Sequence, residues 1–208
     1  MLLKDCTQIY TLGPQGTFSD EATQKVLKTG VRVTYTGTFS EALGKVTEDV
    51  GSAAVVPVEN SVAGTVAQVQ DSLVRNDLII LGEINLLIEY SLLANAKLDQ
   101  IEVCFAHPQA LEQSSEFITN NLGKAQNHFT RSNVDSGIRF LEAVDSGNKP
   151  VAAIVPATFA QENSKWRKAS AIQDYQNNTT RFLVVRSRKS DEQLDYSRKK
   201  TSLLVEFM

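Results

Sequence analysis

The sequence predicts an α/β protein built as two lobes around a cleft. Short apolar runs with strand character alternate with helical patterns along almost the whole chain. These elements fall into two sets, joined by a long extended stretch from Leu78 to Ala94. A last apolar run, Thr180 to Val185, follows the second set and can rejoin the first lobe. With 208 residues the chain can bury one large domain or two small lobes. The expected division places lobe 1 at about 1–85 plus 177–190 and lobe 2 at about 86–176, with a charged tail over 191–208.

In order, Ile9–Leu12 reads as a strand stopped by Gly13-Pro14-Gln15-Gly16. Thr17 or Ser19 can cap the following helix, whose first turn holds Asp20 and Glu21, as the helix dipole favours. Val31–Tyr35 is a strand, Ser40–Val46 a helix, and Ala53–Val56 a buried strand expected to end at Pro57. Thr65–Val74 carries a helical pattern. In the second set, Ile101–Phe105 is a strand followed by one helix from Pro108 to Ile118. A short strand near Asn127–Phe129, a helix Val134–Val144, a strand Val151–Val155 and a helix Ala157–Gln161 complete it.

Composition removes several function classes. A net charge of −3 and a pI near 5.5 supply no field for nucleic acid or an anionic membrane. The basic cluster Arg186–Lys189 reads as solvated linker. Cys6 and Cys104 lack CxxC spacing, and His107 and His128 have no carboxylates at ligand spacing, so neither a disulfide framework nor a metal is expected. Cys104 reads as a packed thiol. No segment approaches a membrane span, and Met1–Cys6 is charged too soon for a signal peptide, so the expected location is the cytoplasm.

Polar, glycine-bearing loops follow strands in both lobes: Gly13–Ser19, Pro57–Thr65 and Ala106–Ala110. Ligands of open α/β sheets bind at the carboxyl ends of strands, where helix N-termini offer free N–H groups to anions. A fourth polar segment, Asn178–Phe182, enters the last strand and carries an arginine and two hydroxyls at its mouth.

Together, Gly13-Pro14-Gln15-Gly16-Thr17-Phe18-Ser19, Pro57-Val58-Glu59-Asn60-Ser61, His107-Pro108-Gln109-Ala110 and Asn178-Thr179-Thr180-Arg181-Phe182 resemble the catalytic domain of prephenate dehydratase. The resemblance runs from about residue 8 to 187. It implies lobes of the type II periplasmic-binding-protein kind, with prephenate in the cleft, no cofactor and a homodimer. It also implies that Thr180 is the catalytic threonine, with Asn60 and Gln113 orienting the ring hydroxyl and carboxylates. Arg181 is expected to fork a substrate carboxylate, with Thr17 and Ser61 as further donors. His107, Phe182 and Ser132 are expected to line the site with Tyr90 and Ala106, and Glu59 either to contact substrate or, preferably, to hold its loop.

The chain departs from the family pattern at three places. Ala106 stands where a serine usually precedes the histidine, Tyr90 where a histidine is common, and Ser132–Ser136 replaces an alanine-rich helix start. Lys200–Phe207 resembles the first strand of a phenylalanine-sensing ACT domain that does not continue, from a chain either cut or lacking that domain. The expected reaction is dehydration and decarboxylation of prephenate to phenylpyruvate. Non-aromatising prephenate decarboxylation ranks second, on Ala106, Tyr90 and the missing domain, and an inactive aromatic-acid sensor third.

Overall fold

The computed structural model describes Leu3, residues 5–147 and residues 149–189. The ACT-like remnant expected within 191–208 lies outside the described residues.

The first lobe runs through β1 (Gln8–Leu12), α1 (Phe18–Gln24), β2 (Arg32–Thr36), α2 (Phe39–Glu48), β3 (Ser52–Asn60), β4 (Gly64–Thr65), α3 (Ala67–Arg75) and β5 (Leu78–Leu87). The second continues with β6 (Tyr90–Ala94), β7 (Val103–Ala106), α4 (Pro108–Glu112), α5 (Ser115–Leu122), β8 (Gln126–Phe129), α6 (Asn133–Asp145), β9 (Val151–Pro156), α7 (Ala157–Glu162) and β10 (Arg167–Ser170). The chain then returns to the first lobe as β11 (Thr179–Ser187). The type II periplasmic-binding-protein-like, two-lobe architecture is therefore the one observed.

The first sheet has the order β2-β1-β3-β11-β5, with β4 attached to β3, and the second has the order β10-β6-β9-β7-β8. β1 pairs in parallel with β2 and β3, whereas β11 is antiparallel to both β3 and β5. The sequence explains these positions. Leu183, Val184 and Val185 are an unbroken apolar run buried on both faces, as a central strand requires. β2 alternates exposed and half-buried residues, which suits an edge.

Three local expectations are corrected, and one, the crossover from Leu78 to Ala94, is borne out in finer detail. β3 does not stop at Pro57 but continues to Asn60. Its register against β11 shifts there: Phe182 faces Pro57 and Arg181 faces Glu59, leaving Val58 as the extra residue. Proline lacks an N–H, and a bulge is where a ladder tolerates that loss. The single helix expected over 108–118 is two, α4 and α5, broken at Gln113-Ser114. Asp174 supplies the second helix start, accepting from the backbone N–H groups of Ser115 and Glu116. The extended stretch 78–94 is two strands in different sheets, parted at Ile88-Glu89. Arg186 is not solvated linker; it is buried on β11 and donates to the Val50 carbonyl.

Apolar packing forms three clusters. One lies beneath α2 and α3 and includes Leu43, Val56 and Leu183. Another includes Phe140 of α6, Ala160 of α7 and Val155. The largest joins the lobes, running from Ile9, Val55 and Phe182 through Ile88 and Tyr90 to Leu92, Cys104 and Ile154. Within it the Phe18 and Tyr90 rings meet edge to face, 5.5 Å between centroids. Burial pushes the Cys104 thiol up to about 12, as suits a packed, unreactive cysteine.

Candidate active site

The carboxyl ends of β1, β7 and β8 each lead into a capped helix. Thr17 caps α1, accepting from Asp20 N–H at 3.3 Å while its hydroxyl reaches the Leu12 carbonyl. His107 caps α4 through Nδ1, which accepts from Gln109 N–H. Ser132 caps α6, accepting from Asp135 N–H at 3.0 Å. A side chain replacing the Gly16 hydrogen would lie 3.5 Å from Val134, so the α1 loop and the start of α6 meet across the cleft. Gly16 has φ +84°, a conformation suited to glycine.

Where β3 ends and β11 begins, a chain of buried polar side chains crosses between the lobes. Register pairs Thr180 with Asn60, and the Asn60 amide Nδ2 donates to Thr180 Oγ1 at 2.8 Å and to Asn178 Oδ1 at 2.7 Å. Asn178 Nδ2 in turn donates to Gln113 Oε1 at 2.9 Å. All four residues are 9% exposed or less. The break between α4 and α5 is what frees Gln113 to meet Asn178, and the Gln113 carbonyl also accepts from Asp174 N–H. Thr180, Asn60 and Gln113 are thus brought together. Asn178 had no assigned role in the sequence reading, and its place inside the Asn178–Phe182 motif was the signal for it.

Arg181 lies on the opposite face of β11 from Thr180, although it lines one cavity with Asn60. Alternation along β11 turns it away from Thr180 and Phe182. Its Nε stands 3.0 Å from Glu59 Oε1, and its Nη1 3.5 Å from Glu83. An open cavity of about 240 Å³ lies beside it, lined in part by Ser61, Thr65, Asn85 and Thr179. Arg181 thus stands paired with the protein's own carboxylates, Glu59 and Glu83, beside this cavity.

Ser61 clamps its loop to β11: its Oγ accepts from Thr179 N–H at 2.9 Å, and its own N–H donates to the Thr179 carbonyl. Phe182 and Ala106 are buried in the inter-lobe cluster. Tyr90 is buried there too, its backbone N–H held by Gln173 Oε1 and its hydroxyl bonded to the Asn133 side chain. Burial raises the Tyr90 phenol far above its ordinary range, so it stays protonated. Burial also lowers His107, which favours the neutral imidazole.

Among the described residues no group of three or more His, Cys, Asp or Glu side chains is gathered as a metal site, and no helix is long and apolar enough to cross a membrane.

Two α/β lobes joined by paired crossovers, with a hydroxyl–amide network where the sheets meet, define a class of domain whose ligand sites lie at the carboxyl ends of its strands. The family model described as prephenate dehydratase matches residues 9–190, and the chain belongs to that family. It is 34% identical over 179 residues to the bifunctional chorismate mutase/prephenate dehydratase of Neisseria gonorrhoeae, covering 85% of this chain and 49% of that protein. The chain spans about half the length of the first curated relatives it matches. The prephenate dehydratase of Staphylococcus aureus superposes with a TM-score of 0.73 at 28% identity, covering 90% of this chain and 68% of that one. A protein described as a novel type of quorum-quenching acylase superposes with a TM-score of 0.68 at 26% identity, covering 88% and 65%.

Proposed function

We propose that this chain is a prephenate-processing lyase that works as a dehydratase, converting prephenate to phenylpyruvate, carbon dioxide and water for phenylalanine synthesis. One observation carries the reading: Thr180 Oγ1 accepts from Asn60, which leaves the threonine proton for a substrate oxygen. In the reaction the bond to the ring carboxylate breaks and its electron pair enters the ring. The bond to the ring hydroxyl breaks as the ring becomes aromatic, and that oxygen leaves as hydroxide held by Thr180, taking one proton from solvent to become water. Thr180 is a weak acid, but it need only hold its proton against the oxygen as negative charge develops there.

The substrate is a dianion, and Arg181 is engaged by Glu59 and Glu83. Carboxylate binding is therefore assigned to backbone N–H groups at the start of α6, beside Ser132 and the Gly16 loop. Of the residues that favoured a non-aromatising decarboxylase, Ala106 lies in apolar packing at 0% exposure, and Tyr90, at 2%, meets Asn133 through its hydroxyl. That burial weakens their claim to steer the product. An acylase reading needs a nucleophile beside a base, and among the described residues the hydrogen-bond partner of the Thr180 hydroxyl is an amide.

The test is product analysis of purified protein with prephenate. Phenylpyruvate supports the dehydratase, a non-aromatic keto acid with carbon dioxide release would assign the decarboxylase, and unchanged prephenate would assign a sensor. The homodimer and the cytoplasmic location are parts of the same proposal, checked by light scattering and cell fractionation.

A further inference from the structure

The amide network has a direction, and its direction can be traced from the backbone. Asn60 Oδ1 accepts from the N–H groups of Val62 and Ala63, at 2.9 and 2.7 Å. A backbone N–H only donates, so the Asn60 oxygen must lie on that side and its Nδ2 must face Thr180 and Asn178. Both Nδ2 protons are then committed, one to Thr180 Oγ1 and one to Asn178 Oδ1. Asn178 receives through oxygen and so donates through Nδ2 to Gln113 Oε1. Gln113 is left with its Nε2 protons, and none of the described hydrogen bonds uses them. At each end of the network the group left over is a donor: the Thr180 hydroxyl and the Gln113 amide.

We propose that Asn178 is a positioning residue, seated in the hinge, that holds Gln113 with its amide donor toward the substrate and so makes this end of the cleft selective for oxygens that only accept. A carboxylate is such an oxygen, and the ring hydroxyl, which can also donate, meets this end through its lone pairs as it departs. The hinge position follows from the backbone: the Asn178 carbonyl accepts from Ile88 N–H at 2.7 Å, tying the outgoing and returning crossovers together. Its side chain then bridges Asn60 of the first lobe and Gln113 of the second. The inference rests on the dehydratase reading for its substrate but not for its hydrogen-bond logic.

Asn178→Asp tests it with almost no change of shape. The introduced carboxylate still accepts from Asn60, but when ionised it cannot donate, so Gln113 must turn its Nε2 inward and present Oε1 to the cleft. When the carboxyl is protonated it can donate again and the original direction returns. Charged groups near this point are already engaged: Asp174 caps α5, and Glu59 and Arg181 pair on the other face of β11.

The expected result is a kcat/KM at about pH 8 lower than wild type by roughly 10-fold or more, recovering as pH falls through an ionisation that the wild type lacks. Gln113→Glu makes the same reversal outside the hinge and should show the same pH-dependent recovery, which keeps the test open if Asn178→Asp folds poorly. A variant-to-wild-type ratio that does not change with pH would overturn the proposal. Should the wild type leave prephenate unchanged, the function fails but the relay is still read by NMR. The Gln113 side-chain amide protons should exchange with water readily in the wild type and be protected in Asn178→Asp above its ionisation. Equal exchange in the two proteins would refute the relay.

Discussion

Thr180 and Arg181 are neighbours in sequence and face opposite sides of β11. The threonine accepts from Asn60 inside the amide network, while the arginine is held between Glu59 of β3 and Glu83 of β5. Strand alternation separates them, so one dipeptide serves two purposes: a member of the amide network on one face and a cross-strand clamp on the other.

Arg181→Lys should therefore act on the fold before it acts on substrate. The lysine keeps the charge but cannot reach both carboxylates with a rigid fork. We expect a lowered midpoint of thermal unfolding with the KM for prephenate within about threefold of wild type. A KM raised ten-fold or more with unchanged thermal stability would instead put the guanidinium on the substrate.

Thr180→Val keeps the side-chain shape and removes the proton. One Asn60 Nδ2 proton keeps Asn178 as its acceptor while the other loses Thr180, so folding should cost about 1–3 kcal/mol. Turnover should fall by about 10²-fold or more, because the lost contact forms in the transition state, while KM changes much less. Phenylpyruvate formation at near wild-type rate in this variant would remove Thr180 from the chemistry.

Gly137→Ala tests packing within α6. Alanine favours a helix over glycine by about 1 kcal/mol. The added carbon, however, would lie 2.2 Å from the Phe159 ring, inside any permitted contact. Overpacking of this kind costs about 1–3 kcal/mol, so we expect net destabilisation, seen as a lower urea midpoint. An unchanged or higher midpoint would mean that α7 yields freely.

His107 gives a pH dependence of defined sign. Burial lowers its pKa from the ordinary 6.5. The folded state therefore binds a proton less readily than the unfolded chain, and stability falls as pH drops through 6.5 toward the lowered value. Protonation also removes the Nδ1 acceptor that caps α4. His107→Asn, which keeps an acceptor for Gln109, should flatten this dependence between neutral pH and about pH 5. Identical profiles for the two proteins would assign the acid sensitivity elsewhere.

The alternation of strand and helix and the apolar run that became the central β11 were legible in the sequence, and the family resemblance singled out Thr180, Asn60 and Gln113. The elements depend on local pattern: which residues are apolar, and with what period. Which face Arg181 takes was not legible, because that depends on pairing with Glu59 and Glu83, distant in sequence. The helix break at Gln113 was hidden for a similar reason, since the cap comes from Asp174, 59 residues away from Ser115. Asn178 and Asn60 stand 118 residues apart. A sequence can supply the donors and acceptors, but the direction of the hydrogen bonds between them exists only once the two lobes are folded together and the backbone N–H groups of Val62 and Ala63 fix where the first oxygen points.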